Sequence, residues 1–174
     1  MQFSLSKSID ILERTPLVLE TWLGGLSDEW ILANEGPDTW NAFDIVGHLI
    51  HGEETDWITR MQVILSNNED KTFDTFDRFA QYEKSRGKTM RQLLDEFKQL
   101  RKKSLDILVA QQLTTDDLTK TGMHRVLGEV TLSHLLATWV AHDLNHIAQI
   151  ARVMAKQYKE EAGPWVAFLR ILQT

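Results

Sequence analysis

The chain has 174 residues, a formal net charge of −6 and no cysteine. This length suits one domain, residues 1–174, which can bury about 70% of its unfolded surface without a disulfide or a structural metal. The acidic balance argues against nucleic acid as a partner, and a chain without cysteine has no disulfide, thiolate nucleophile or sulfur ligand of its own.

Membrane and export signals are not recognisable in the sequence. No window approaches the roughly 18 uninterrupted apolar residues of a membrane span. The first residues, Met1–Ser8, lack the charged segment and apolar run of a secretory signal. We therefore expect a cytoplasmic protein without a membrane partner.

The first predicted helix spans Ser8–Leu26, where apolar residues recur at helical spacing. Pro16 interrupts this pattern, because proline has no N–H to donate within a helix. Two alternatives follow. Thr15 and Pro16 begin a fresh helix, or Pro16 kinks one helix and leaves the carbonyl one turn earlier without a donor.

The second predicted helix spans Ala42–Leu65, with Asn41 as its N-cap. One row of this helix carries His48 and, four residues later, Gly52, while Gly47 precedes the histidine. Each helical glycine costs about 1 kcal/mol relative to alanine. Close approach of another element, or space for a ligand beside the imidazole, would explain both glycines.

A long connection, residues 66–88, separates the second and third helices. Four aromatic residues recur through it at every third position: Phe73, Phe76, Phe79 and Tyr82. This aromatic content is atypical of disorder and predicts a loop that lies over the bundle. Such rings more usually cover part of the hydrophobic core that would otherwise be exposed. The alternative is that the connection forms a lid or a binding loop.

The third helix begins after Thr89, which forms a capping-box pattern with Gln92. Residues 123–130 suggest a small hairpin, after which Thr131 caps the longest helix, predicted to end near Tyr158. Pro164 is predicted to begin a short last helix. The elements together predict an all-α protein, a four-helix bundle with a short extra C-terminal helix.

Two histidines in the longest helix form the most specific pattern. His142 and His146 are four residues apart, so their side chains lie on one helix face and can bind one ion. His48 lies on another long helix in a row that faces the interior. A lone interior histidine is more often a hydrogen-bonded core residue, whereas three together can form a metal site with an open coordination position.

Neighbouring polar residues are weaker candidates. His51 and the acidic residues Glu53, Glu54 and Asp56 are expected on the solvent side of the second helix. Asp143 or Asn145 could accept a hydrogen bond from a metal-bound imidazole. His124 and His134 are expected at the surface or in caps, with a place at the mouth of the site as the alternative for His124.

Four stretches of the chain resemble the DinB-like superfamily: residues 43–53, 128–132, 135–150 and 163–165. The resemblance implies a four-helix bundle that holds one metal through His48, His142 and His146. It also suggests a homodimer. Imidazole ligands suit Zn²⁺, Ni²⁺ and Fe²⁺, so the ligand type does not select the metal.

Three functions follow from the resemblance and the residues. The first is a metal-dependent transferase that acts on a small-molecule substrate with a low-molecular-weight thiol supplied in trans, which suits a chain without cysteine. The second is a non-catalytic, stress-related metal-binding bundle. The third is a metal-dependent hydrolase, for which His51, Glu53 or Glu54 would have to be the general base.

Overall fold

A computed structural model describes residues 2–173. Within them, α-helices and one antiparallel hairpin form the framework. No helix in this part of the chain is long and apolar enough to cross a membrane. The elements are α1 (Leu5–Leu23), α2 (Asp28–Leu32), α3 (Ala42–Thr55), α4 (Trp57–Leu65), α5 (Gln81–Ser85), α6 (Met90–Ala110), α7 (Thr115–Thr119), β1 (Thr121–His124), β2 (Gly128–Thr131) and α8 (Leu132–Lys156).

The four-helix bundle predicted from the sequence is confirmed. Helices α1 and α3 each pack against both α6 and α8, and α4 continues the α3 arm along α8. Two apolar clusters fill the interior, one around Leu19, Ile45 and Phe97, the other around Leu12, Met61 and Trp139. The two-stranded sheet is a minor addition to an all-α fold.

Helix α1 passes through Pro16 without interruption, so Thr15 does not begin a fresh helix. The predicted bounds were also wrong, because the helix starts at Leu5 and ends at Leu23. Pro16 cannot donate to the carbonyl of Leu12, four residues earlier. That carbonyl instead accepts a 2.8 Å hydrogen bond from Arg101 Nη1 on α6, which offsets the loss within the helix.

The second predicted helix is divided at Asp56 into α3 and α4. Its start is as predicted: the Asn41 side chain accepts from the backbone N–H of Asp44, whose carboxylate accepts from the N–H of Asn41. The sequence does not indicate the division at Asp56, because the apolar periodicity continues across this residue. Asp56 has φ −110° and ψ −76°, outside the usual helical values.

Residues 66–88 lie over the bundle as predicted, and they also contain α5. Backbone hydrogen bonds fix this connection to the hairpin: Phe73 N–H donates to the Met123 carbonyl and Met123 N–H donates to the Lys71 carbonyl, each at 2.9 Å. Phe73 is buried, while Phe79 and Tyr82 are exposed. Covering the core therefore explains Phe73 but not all four rings.

The capping box predicted before α6 is present, and Thr131, predicted to cap α8, does so and forms a capping box with His134. The hairpin is also as predicted, with Met123 paired with Glu129. After α8 the chain forms two 3₁₀ helices, Gly163–Phe168 and Arg170–Leu172, where one short helix was expected. Leu172 is buried, whereas Trp165 and Phe168 are largely exposed.

Candidate metal centre

The fold brings the three predicted histidines together at one point of the bundle. His48 comes from α3, and His142 and His146 come from successive turns of α8. The Nε2 atom of His142 lies 3.0 Å from that of His48 and 3.1 Å from that of His146. One ring nitrogen from each residue lies within 4.8 Å of the other two.

Burial keeps these imidazoles neutral. Burial, together with charge repulsion from the neighbouring histidines, lowers the pKa of His48 and of His142 to about 3. Burial also lowers the pKa of His146, although its hydrogen bond to Gln149 opposes the shift. Neutral imidazole is the form that binds a metal, so the environment favours the ligating state.

The arrangement fits a metal better than a hydrogen-bonded cluster of core histidines. Three facing Nε2 atoms can share few protons, whereas nitrogens bound about 2.1 Å from one ion at near-right angles lie roughly 3.0 Å apart. The Nδ1 atoms of His48 and His142 are buried without hydrogen-bond partners. The Nδ1–H of His146 donates to Gln149 Oε1 at 2.8 Å, which directs its Nε2 lone pair toward the other two rings.

Aromatic rings enclose the three histidines. The Trp40 ring lies 4.8 Å from the His48 ring, and the Phe76 ring meets His48 edge-on at 5.5 Å. Trp57 covers His142 at 5.1 Å between ring centroids. Phe76 comes from the long connection, so this segment lies directly against the candidate centre.

An apolar cavity of about 330 Å³ opens onto this centre. His48 and His142 both line it, and Asp56 and Arg60 supply charged groups on the α4 side. Most of the remaining wall is apolar and comes from Trp57, Phe73, Phe76, Leu127, Val130 and Leu135. The size is that of an ordinary small-molecule pocket.

A second, more polar cavity of about 690 Å³ lies on the other side of Trp40. Two arginines, Arg78 and Arg152, and two carboxylates, Glu35 and Asp38, line it. Arg152 Nε donates to Glu35 at 2.8 Å. Trp40 and Gln149 line this cavity and also contact the histidines, so one layer of side chains separates it from the candidate centre.

A family model described as the DinB superfamily matches residues 11–150. The chain belongs to the DinB superfamily. The three histidines, the aromatic surround and most of the apolar cavity lie within the matched residues. A comparison with curated proteins finds no match.

Among solved structures, the fold of this DinB superfamily member resembles that of YfiT from Bacillus subtilis. The TM-score is 0.75 with 20% sequence identity, and the match covers 90% of each chain. YfiT is described as a probable metal-dependent hydrolase with an unusual four-helix bundle topology. At 20% sequence identity this resemblance shows that the two proteins share a fold and shows nothing further.

Several polar neighbours of the DinB histidines lie elsewhere than the sequence predicted. His51, Glu53 and Asp56 are buried, not on a solvent face. Helices α5 and α6 cover the side of α3 that carries His51 and Glu53, and Asp56 lines the apolar cavity. His51 packs against Phe76, and Glu53 accepts from Arg101 on α6. Glu54 is exposed as expected and pairs with Lys84.

Neither Asp143 nor Asn145 orients an imidazole. Asp143 is buried on the far side of α8 and pairs with Arg101, while Asn145 is exposed. His134 takes part in the α8 capping box. His124 and His134 both line the apolar cavity, which agrees with the alternative placement of His124 at the mouth of the site.

Sequence reasoning missed the roles of Gln149 and Asp56 at the centre and of Arg101 in the buried network beside it. Gln149 lies three residues after His146 on the same helix, a spacing that could have identified it. Arg101 lies four residues from both Phe97 and Leu105, so it occupies an apolar row of its helix. A charged residue in such a row could have indicated a buried ion pair. Asp56 depends on the helix break, which the sequence does not indicate.

Proposed function

We propose that His48, His142 and His146 hold one divalent transition metal, and that the protein is a transferase that uses a low-molecular-weight thiol supplied in trans. The observation that carries the proposal is that His48 and His142 line one cavity while a second cavity lies one layer of side chains from the histidines. A transferase must bind two substrates, whereas a hydrolase needs one substrate and water. Zn²⁺, Ni²⁺ and Fe²⁺ all suit three imidazoles.

The two cavities differ in the chemistry that they offer. In the polar cavity Arg78 and Arg152 can bind carboxylate groups of a thiol, and Glu35 and Asp38 can bind its ammonium group. The apolar cavity suits an electrophile with a largely hydrocarbon body. Trp40 lines the polar cavity and lies against His48, so the sulfur of a thiol bound there would have to pass this ring to reach the histidines.

In the proposed reaction the thiol sulfur forms a bond to an electrophilic carbon. The leaving group of that carbon departs with the bonding electrons and takes up the thiol proton. A bound metal would lower the pKa of the thiol, so that no protein base is required. Trp40, Trp57 and Phe76 limit water around the histidines, which protects a thiolate or an activated electrophile from solvent.

Hydrolysis is the second candidate, supported by the resemblance to YfiT. It requires a general base beside the open face of the centre. None of His51, Glu53 and Glu54 lines the apolar cavity, and Asp56 is the carboxylate that does. The non-catalytic alternative predicts that no cavity reaches the histidines, so the cavity supports an enzyme.

Elemental analysis of the tag-free protein tests the metal proposal. We expect about one metal per chain in the wild type and loss of that metal in His48→Ala, His142→Ala and His146→Ala, with helicity retained by circular dichroism. His134→Ala is the matched control, because His134 caps α8 without joining the cluster. A wild type that binds no metal on titration would overturn the proposal.

Assays with and without thiol separate transferase from hydrolase activity. Metal-loaded protein is incubated with a panel of activated esters and alkyl halides, in the presence and absence of cysteine, glutathione and related thiols. A transferase consumes electrophile only with thiol and forms a thioether or thioester. Consumption without thiol would identify a hydrolase. The homodimer and the cytoplasmic location stay predictions.

A further inference from the structure

Asp56 lies at the break between α3 and α4 and lines the apolar cavity. Its side chain is 11% exposed. The same cavity is bounded by His48 and His142, so Asp56 and the candidate metal centre face one space. His48 and Asp56 are eight residues apart, 56 − 48, which corresponds to about 12 Å along a helix.

The Asp56 carboxylate has an unused acceptor. Arg60 Nε pairs with Oδ1 at 2.7 Å, whereas Oδ2 receives no hydrogen bond from the described residues. The Arg60 guanidinium also lies over the Phe73 ring, 5.3 Å from its centroid. The ion pair therefore occupies one oxygen of the carboxylate and leaves Oδ2 as the acceptor that a donor on a ligand could use.

Few other groups in the cavity could meet a polar ligand. His124, His134 and Thr138 are the remaining polar members of its wall. The Nδ1 atom of His124 already accepts from the backbone N–H groups of Val126 and Leu127, and that of His134 accepts from Thr131. Asp56 is therefore the buried acceptor that a ligand with a hydrogen-bond donor would satisfy.

We propose that the substrate of the apolar cavity carries an amine or a hydroxyl group remote from its reactive end, and that Asp56 accepts a hydrogen bond from this group. The reactive end would lie at the histidines and the donor about two helical turns away. This inference rests on the proposed function only in treating the cavity as a substrate site. It adds a specificity-determining residue and a class of substrate, an apolar molecule with one hydrogen-bond donor.

Benzylamine, benzyl alcohol and toluene form a matched set of probes, because they share a ring and differ in the donor. Each is titrated into the full chain, with and without Zn²⁺, and followed by ¹H–¹⁵N NMR. We expect shifts at Asp56, Arg60 and Phe73, and affinities for the amine and the alcohol about tenfold above that for toluene. Equal affinities, or shifts confined to other surfaces, would overturn the inference.

Two variants at the same position separate charge from hydrogen bonding. Asp56→Leu should remove the preference for both donors and leave toluene binding unchanged, whereas Asp56→Asn should remove only the advantage of the amine over the alcohol. Asp10→Leu, on the exposed face of α1, is the control and should behave as the wild type. A preference that persists in Asp56→Leu would exclude Asp56 as the acceptor.

Intermolecular NOEs in the wild type decide the inference even if Asp56→Leu does not fold. The benzylic methylene of bound benzylamine should give NOEs to the Asp56 β protons, and binding without these NOEs would contradict the proposal. The assay contains no thiol and no reaction. Failed transfer with positive benzylamine binding would therefore refute the transferase alone, and the reverse result would refute the role of Asp56 alone.

Discussion

Arg101 donates a 2.8 Å hydrogen bond to the carbonyl of Leu12, the carbonyl that Pro16 leaves without a donor inside α1. The same guanidinium bonds Glu53 on α3 and both carboxylate oxygens of Asp143 on α8. One side chain of α6 thus joins the other three helices of the bundle. Asp143 follows His142 directly, so this junction also fixes the turn that carries a candidate ligand.

Replacement of Arg101 by Met should destabilise the protein by about 3–5 kcal/mol, because it removes the cationic partner of two buried carboxylates and the donor to one carbonyl. Urea unfolding followed by circular dichroism measures the change. Lys102→Met is the matched control: Lys102 is exposed and pairs only with Asp106, so the expected change is within about 0.5 kcal/mol. Equal stability of the two variants would show that the buried network contributes little.

Local signals were sufficient to predict the framework of the fold. Asn41, Thr89 and Thr131 each begin a helix with a side chain that accepts from the backbone, an interaction confined to four consecutive residues. The i, i+4 spacing likewise places His142 beside His146 on one helix face. His48 joined them through the family resemblance, because spacing along the chain does not specify which helices pack together.

Long-range contacts explain what could not be predicted. Glu53 was assigned to solvent because acidic residues usually are exposed, yet it accepts from Arg101 and from Trp139 Nε1 in the core. His51 is covered by the connection that also supplies Phe76. Such burial depends on elements more than 20 residues away, and the pattern of one helix carries no information about them.

Replacement of Gln149 by Leu should weaken metal binding by about 10–100-fold, because His146 loses the acceptor that orients its Nδ1–H. Competition titration with a chromophoric chelator measures the dissociation constant for Zn²⁺. Asn145→Leu is the control, since Asn145 precedes His146 but is exposed. If both variants bind Zn²⁺ as tightly as the wild type, Gln149 does not position the ligand.

Gly47→Ala should destabilise the fold by about 1–3 kcal/mol, although alanine is the better helix former. A Cβ at this position would lie 2.5 Å from Ser85 Oγ and 2.6 Å from Gln81 Oε1, so these two buried side chains, or α5 with them, would have to shift. At Gly52 the nearest atom, Trp57 Nε1, would be 3.2 Å away.

Gly52→Ala is therefore expected to cost less than Gly47→Ala in the same thermal unfolding experiment. Gly47 permits close approach of α5, the first of the two explanations that the sequence left open, whereas Gly52 lies against Trp57 and also lines the apolar cavity. A stabilising effect at Gly47 would mean that α5 is not held against α3. A displacement of α5 in Gly47→Ala should also move the connection that carries Phe76. Because Phe76 packs against His48, NMR of the His48 ring would detect this movement.

The stability of the protein relative to Asp56→Asn should depend on pH between about 4 and 6. Burial raises the pKa of Asp56 to about 6, against the opposing charge of Arg60. In this window the folded state binds more protons at Asp56 than the unfolded state, so the free energy of unfolding falls as pH rises. The stabilisation is complete below pH 4, and about 2–3 kcal/mol of it is lost above pH 6.

Urea unfolding of wild type and Asp56→Asn across pH 4–8 measures this difference, because other carboxylates contribute equally to both proteins and cancel. The difference in unfolding free energy should decline through the window and become constant above about pH 7. Asp10→Asn, at an exposed carboxylate of α1, is the control in the same measurement. If the difference in unfolding free energy between wild type and Asp56→Asn stays constant with pH, water or Arg60 already compensates the charge of Asp56. In that case the carboxylate would not require a hydrogen-bond donor from a ligand.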